Sequence, residues 1–175
     1  MNIVPWAGSA IFPALCKTLL AWRKSAPDTR DLPWRDEPTP YHVWISEIML
    51  QQTRANVVRA YYLRFLEALP TVHALAACDS EVLMKLWQGL GYYSRARNLK
   101  RAAEVIVRDH GGTLPNNFDA LLALPGIGRY TASAIASFAY GLPHPAVDGN
   151  FLRVAARITA NPIDVAKDTA KRALE

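Results

Sequence analysis

The stretch Leu124-Pro125-Gly126-Ile127-Gly128-Arg129-Tyr130-Thr131-Ala132 decides the fold. Its two glycines stand two positions apart, between helical patterns at about 117–123 and 128–140. Glycine there lets a tight turn form and lets backbone approach a ligand closely. The second helix opens with N–H groups that lack intrahelical partners, a natural seat for a phosphate. Such contacts grip a nucleic-acid backbone without reading its sequence. A plain αα-hairpin accounts for the glycines as well, through turn geometry alone. Arg129 beside the turn and the basic stripe Arg95, Arg97, Lys100 and Arg101 favour DNA. Taken by itself, a solvated helix face explains that stripe equally well.

Outward from the turn, apolar spacing is helical nearly everywhere, and no alternating β-branched run reads as a strand. Leu15, Leu19, Leu20 and Trp22 predict a first helix. Thr39-Pro40 supplies an N-cap followed by Pro at the first helical position, opening a helix over 41–50. Further patterns predict helices over 54–68, 80–88, 94–109, 150–159 and 163–174. Connections are short and carry Pro, Gly, Asn or Asp, as packed helices require. The fold class is therefore all-α. The last pattern, Ile163, Ala166, Ala170, Leu174, reaches the final residues without a Gly stop or Pro breaker. It reads as an unfinished helical lobe.

The chain of 175 residues is long enough for one medium domain or two small lobes with a buried core. About half of it is apolar (51%) and a fifth charged (20%), an ordinary globular balance. A net charge of +5 permits a polyanionic partner without establishing one. Cys16 and Cys78 form no CxxC or Cys/His cluster, so neither a disulfide scaffold nor a zinc site is suggested. The first 16 residues carry no charged side chain but are broken by Pro5 and Pro13 and are too short to span a bilayer. The expectation is a soluble intracellular protein.

Two carboxylates stand out. Glu47 follows Val43 and Trp44 by four and three positions, so its helix face is apolar. A carboxyl set there is desolvated, its pKa rises, and it becomes a candidate general acid. A Glu tilted outward or paired with an Arg is the plainer reading of the same residue. Asp148, in Val147-Asp148-Gly149-Asn150, is readable as a simple helix N-cap. Facing Glu47, it would instead set a lasting negative charge beside a developing cation, the division of labour that glycosidic-bond cleavage uses. Gln51-Gln52 and Tyr92-Tyr93 offer amides and flat rings able to wedge into a base stack, or merely to pack.

Five motifs together resemble the adenine DNA glycosylases of the helix-hairpin-helix base-excision superfamily. They are Leu32-Pro33-Trp34-Arg35, Ser46-Glu47-Ile48-Met49-Leu50-Gln51-Gln52-Thr53, the run Gly89 to Leu99, the turn from Leu124 to Ala132, and Val147-Asp148-Gly149-Asn150. They occur in family order and at family spacing. The resemblance implies a two-lobed, all-helical fold truncated before an iron–sulfur loop. It divides the chain into a helix within 1–29 packing on the second lobe, a barrel lobe over 30–145, and an incomplete return to the second lobe over 146–175. It implies Glu47 as the acid that protonates adenine at N7 and later helps activate water, and Asp148 as the stabiliser of the sugar cation. Tyr130 and Asn150 match supporting polar groups around Asp148. Arg30, Trp34, Arg35 and Leu50 match the lining of a pocket for a flipped adenine. Gln52 and Tyr92 match residues inserted into the duplex, while Arg95, Arg97, Gly126, Gly128 and Arg129 belong to the DNA-binding surface.

Relatives of the endonuclease III type carry a Lys after the hairpin arginine, which attacks the sugar and forms a Schiff base. Tyr130 stands there in this chain, which implies hydrolysis without efficient strand cleavage. The implied partner is double-stranded DNA with adenine opposite 8-oxoguanine or guanine, bound by a monomer away from any membrane. A 4Fe-4S cluster is expected only with a longer C-terminal region, because Cys16 and Cys78 do not match its ligands. A relative acting on thymine opposite guanine, or an inactive DNA-binding module, are the alternatives. Glu47 favours the purine, since protonating a ring nitrogen requires an acid at that point.

Overall fold

A computed structural model of the chain describes residues 11–25 and 32–158, and every described element is helical. The chain divides into two compact units between residues 31 and 32. In the first, α1 (Ile11–Ser25) ends on the basic residues Arg23 and Lys24, as a helix C-terminus favours. Residue 30 and the pattern at 163–174 lie outside the described residues. No helix among the described residues is long and apolar enough to cross a membrane.

The second unit opens on a 3-10 turn, Pro33–Arg35, and then α2 (Pro40–Leu50). The cap reads as the sequence predicts. Thr39 Oγ1 accepts a hydrogen bond from the His42 N–H at 3.2 Å, and Pro40 occupies the first helical position. Trp44, Ile45 and Met49 on this helix are fully buried. Around it come α3 (Ala55–Ala68), α4 (Val72–Ala77), α5 (Ser80–Trp87) and α6 (Ser94–His110). The last stops at Gly111 in left-handed geometry, with the Gly112 N–H closing on Ile106 O at 3.0 Å.

Helix α4 is absent from the sequence expectation. Its signal is short: Thr71 Oγ1 caps Ala74 N at 3.1 Å, and its buried residues are Val72 and Leu75. Lys100 ties its end to α6 by donating to Ala76 O at 2.9 Å and Cys78 O at 2.7 Å.

The hairpin forms between α7 (Phe118–Leu122) and α8 (Arg129–Ala134). Gly126 sits at φ 75°, and a Cβ there would fall 2.6 Å from Asn98 Cβ, so the turn and the close approach both demand glycine. Gly128 differs: its backbone is extended (φ −88°, ψ 174°) and a Cβ would meet open space. The helix expected over 128–140 is α-helical only to Ala134 and continues as a π turn, Ile135–Ala139. Leu142 N bonds to Ala136 O at 2.9 Å, which reverses the chain toward Asp148. The next helix, α9, runs Gly149–Ile158.

Candidate active site

Helix α2 packs against both α8 and the π turn, so Glu47 in its last turn faces the start of the hairpin's second helix. Gln51 Nε2 donates to Thr131 Oγ1 at 3.4 Å and ties the two helices beside it. Val43, Trp44 and Ile48 around Glu47 are buried, and Glu47 itself is half-buried. Burial is the largest influence on its carboxyl and raises its pKa above the ordinary value. The Tyr130 phenol is within hydrogen-bonding reach and opposes that rise, while the charge of Asp148 adds to it. The net direction is upward. Tyr130 is itself pushed up, by burial first and then by the charges of Glu47 and Asp148. Its phenol therefore keeps its proton and serves as a donor.

Asp148 is an N-cap, as the plainer reading of the sequence has it, and its charge is felt at Glu47 as well. One carboxylate oxygen accepts from Phe151 N at 2.7 Å and the other from Asn150 Nδ2 at 3.1 Å. Arg153 Nη2 in turn donates to Asn150 Oδ1 at 2.6 Å. Sequence reasoning missed Arg153, although its spacing of three from Asn150 on a helix places the two side chains together. Glu47, Tyr130, Asp148 and Asn150 thus form one polar cluster drawn from α2, α8 and α9. Its chemistry is a carboxyl biased toward its protonated form beside a carboxylate held by donors.

The residues expected to line a base pocket fare differently. Trp34 is buried, its ring edge-on to Tyr62 at 5.7 Å, so most of its surface belongs to the core. Arg35 is exposed, and Leu50 is half-buried at the end of α2. Arg30 falls outside the described residues. A cavity of about 210 Å³ opens between α2, α6 and the hairpin, lined by Trp44, Gln51, Asn98 and Gly126 among others. Glu47 and Asp148 do not line it, so it is distinct from the carboxylate cluster.

On the surface expected to meet DNA, Arg97 and Arg129 are exposed, and the Arg129 guanidinium lies 5.6 Å from the Phe118 ring centroid. Gln52 and Tyr92 are exposed and share a further property: both adopt left-handed backbone, at φ 58° and 48°. They are the described non-glycine residues with positive φ. Arg95 requires a correction. Expected on the basic surface, it is buried, and its guanidinium is consumed by main-chain carbonyls of the two turns that carry Gln52 and Tyr92. Its Nη atoms are occupied and its Nε is buried without a partner, so none of its donors lies on the surface where a phosphate would sit.

No group of three or more His, Cys, Asp and Glu residues among those described is placed to hold a metal. The whole sequence has two cysteines, so these residues do not fit a four-cysteine cluster.

A family model described as "HhH-GPD superfamily base excision DNA repair protein" matches residues 45–175. An adenine DNA glycosylase of Rattus norvegicus is 43% identical over 156 residues, which is 84% of this chain and 30% of that protein. The chain thus spans under a third of that relative's length. Among solved structures, a thermostable thymine-DNA glycosylase superposes with a TM-score of 0.73 at 34% identity, covering 81% of this chain and 65% of that one. A non-covalent endonuclease III–DNA complex superposes with a TM-score of 0.72 at 26% identity, covering 93% of this chain and 75% of that one.

Proposed function

The chain belongs to the HhH-GPD superfamily of base excision DNA repair proteins, and from that premise we propose that it carries the chemistry of a monofunctional adenine DNA glycosylase. Its substrate is double-stranded DNA with adenine opposite 8-oxoguanine or guanine. The observation that supports this most directly is the raised carboxyl of Glu47 set against Tyr130 and Asp148.

Protonated Glu47 gives its proton to N7 of an extruded adenine. The electrons of the bond from C1′ to N9 leave with the base, and positive charge develops on the sugar. Asp148 faces that charge, held by Phe151 N and Asn150 Nδ2. Glu47, now a carboxylate, takes a proton from the water that adds to C1′. The products are free adenine and an abasic site. Electrostatic stabilisation of this kind works best where the groups are fixed before reaction. The hairpin turn at Gly126 and Gly128, with Arg129 beside it and Arg97 exposed on α6, is the proposed grip on the phosphates, and Gln52 and Tyr92 enter the stack vacated by the base.

Single-turnover excision on duplexes with adenine opposite 8-oxoguanine, guanine, cytosine or thymine tests the reading. Rapid excision opposite the first two is the expected result, and no release of adenine from any of them would sink it. The likeness to a thymine-DNA glycosylase favours a second reading, action on thymine opposite guanine. The same assay with that mispair separates the two. Glu47 weighs against it, because thymine has no N7 to protonate.

Tyr130 bears on the fate of the strand once the base is gone. Its phenol forms no Schiff base, so the abasic strand is expected to remain intact. Tyr130→Lys places an amine beside Glu47 and Asp148 and is expected to yield a covalent DNA adduct trappable by borohydride. A variant that traps nothing would count against the sugar lying at that position.

A further inference from the structure

Arg95 lies on the first turn of α6, far in sequence from α2, and its fork joins two otherwise separate turns. Nη1 donates to Ile48 O at 2.8 Å and Met49 O at 2.9 Å, carbonyls left open at the end of α2, and to Gln51 O at 2.5 Å. Nη2 reaches Thr53 Oγ1, Leu90 O and Gly91 O, each at 3.2 Å. The contacts to Gln51 O and Thr53 Oγ1 bracket Gln52, and those to Leu90 O and Gly91 O lead into Tyr92. The guanidinium also lies 5.4 Å from the Trp87 ring centroid and 5.6 Å from that of Tyr92.

Left-handed backbone is unfavourable for residues with a Cβ and persists only where the surroundings over-determine it. Here the two left-handed side chains are the exposed ones proposed to enter the duplex, and one buried guanidinium grips the carbonyls beside both. We propose that Arg95 is a positioning residue that holds Gln52 and Tyr92 ready, as a linked pair, before DNA arrives. The proposal rests on the reading that these two side chains insert beside the extruded adenine. Pre-setting them removes an ordering cost from the extrusion step and leaves the cleavage step at Glu47 and Asp148 untouched. Lysine is no substitute, because a single ammonium on a flexible stem lacks the planar fork that spans both turns.

Arg95→Lys is tested by single-turnover excision from two substrates: adenine paired opposite 8-oxoguanine, and adenine in a one-nucleotide bulge, where no partner must be displaced. Paired-substrate excision is expected to fall about tenfold to a hundredfold, the scale of small misplacements of positioning groups. Bulge excision is expected to stay near the wild-type rate. A 2-aminopurine beside the lesion is expected to lose much of its fluorescence rise on binding. Equal losses on both substrates would assign Arg95 a general structural role and overturn the proposal. A salt dependence of binding shallower by about one unit of slope would mark a lost phosphate contact and overturn it too. Gln52→Ala and Tyr92→Ala serve as controls. If they excise from the paired duplex at wild-type rates, the insertion reading itself fails. If they are impaired and Arg95→Lys is not, only the positioning role fails. Thr53→Val deletes one acceptor of the fork and carries the same comparison should Arg95→Lys not fold: a smaller loss confined to the paired duplex supports the proposal, and no selective loss overturns it.

Discussion

Glu47→Gln is expected to abolish adenine excision while leaving binding to mispaired duplex near wild-type strength. The amide matches the carboxyl in shape and hydrogen-bonding reach but has no acidic proton to give. General acid catalysis contributes about a hundredfold to ten-thousandfold, and Glu47 is assigned the later activation of water as well, so the loss lies at the upper end. Two further measurements tie the effect to the protonated carboxyl. Wild-type excision should decline as pH rises through the elevated pKa of Glu47, because the acid form is then lost. The stability of the variant should also depend on pH in a defined sense. A folded-state pKa above the unfolded value means that the fold binds the proton more tightly, so Glu47 adds stability below its unfolded pKa. That contribution disappears as pH rises through the folded value. Wild type should therefore lose stability relative to Glu47→Gln across that window. Retained turnover in the variant, measured under single-turnover conditions, would remove Glu47 from the acid role.

The features legible in the sequence are those set by local rules. Thr39-Pro40 announces α2 because cap and proline geometry act over a few residues. Gly111 ends α6 for the same kind of reason. The apolar face around Glu47 follows from helical spacing, which is why its desolvation was readable. Its meeting with Tyr130 and Asp148 was not, since only the crossing of α2 and α8 and the reversal after the π turn bring the three together.

Arg95 teaches a different lesson, because its burial was written in the spacing. The buried positions of α6 are 95, 96, 99, 102, 103 and 106, a helical stripe on which Arg95 sits four before Leu99. Arg97 and Arg101 fall on the other side. Charge alone groups Arg95 with Arg97 and Arg101, whereas the helix face separates it from them. The left-handed turns at Gln52 and Tyr92 had no such signal: rules for positive φ point to Gly and Asn, and here a distant guanidinium enforces what the residues themselves resist.

Asp148→Asn separates the two roles that its position combines. Asparagine is as good an N-cap as aspartate, so the bond from Phe151 N at 2.7 Å can be kept and α9 should stay capped. The exposed Asn150 amide loses an acceptor that water replaces. Stability should therefore change little. The charge is gone, however, and removing a fixed stabiliser of a transition-state charge costs about a hundredfold to a thousandfold in rate. A second effect comes from the coupling to Glu47. The charge of Asp148 helps hold the Glu47 carboxyl above its ordinary pKa, so in the variant the fall of excision with pH should begin at a lower pH. The loss relative to wild type should then widen as pH rises. A loss caused by damage to the fold would look different: a lowered melting temperature, and a rate defect that follows the unfolded fraction at every pH. Near-wild-type excision with an unshifted pH profile would take Asp148 out of the mechanism and leave it as the cap of α9.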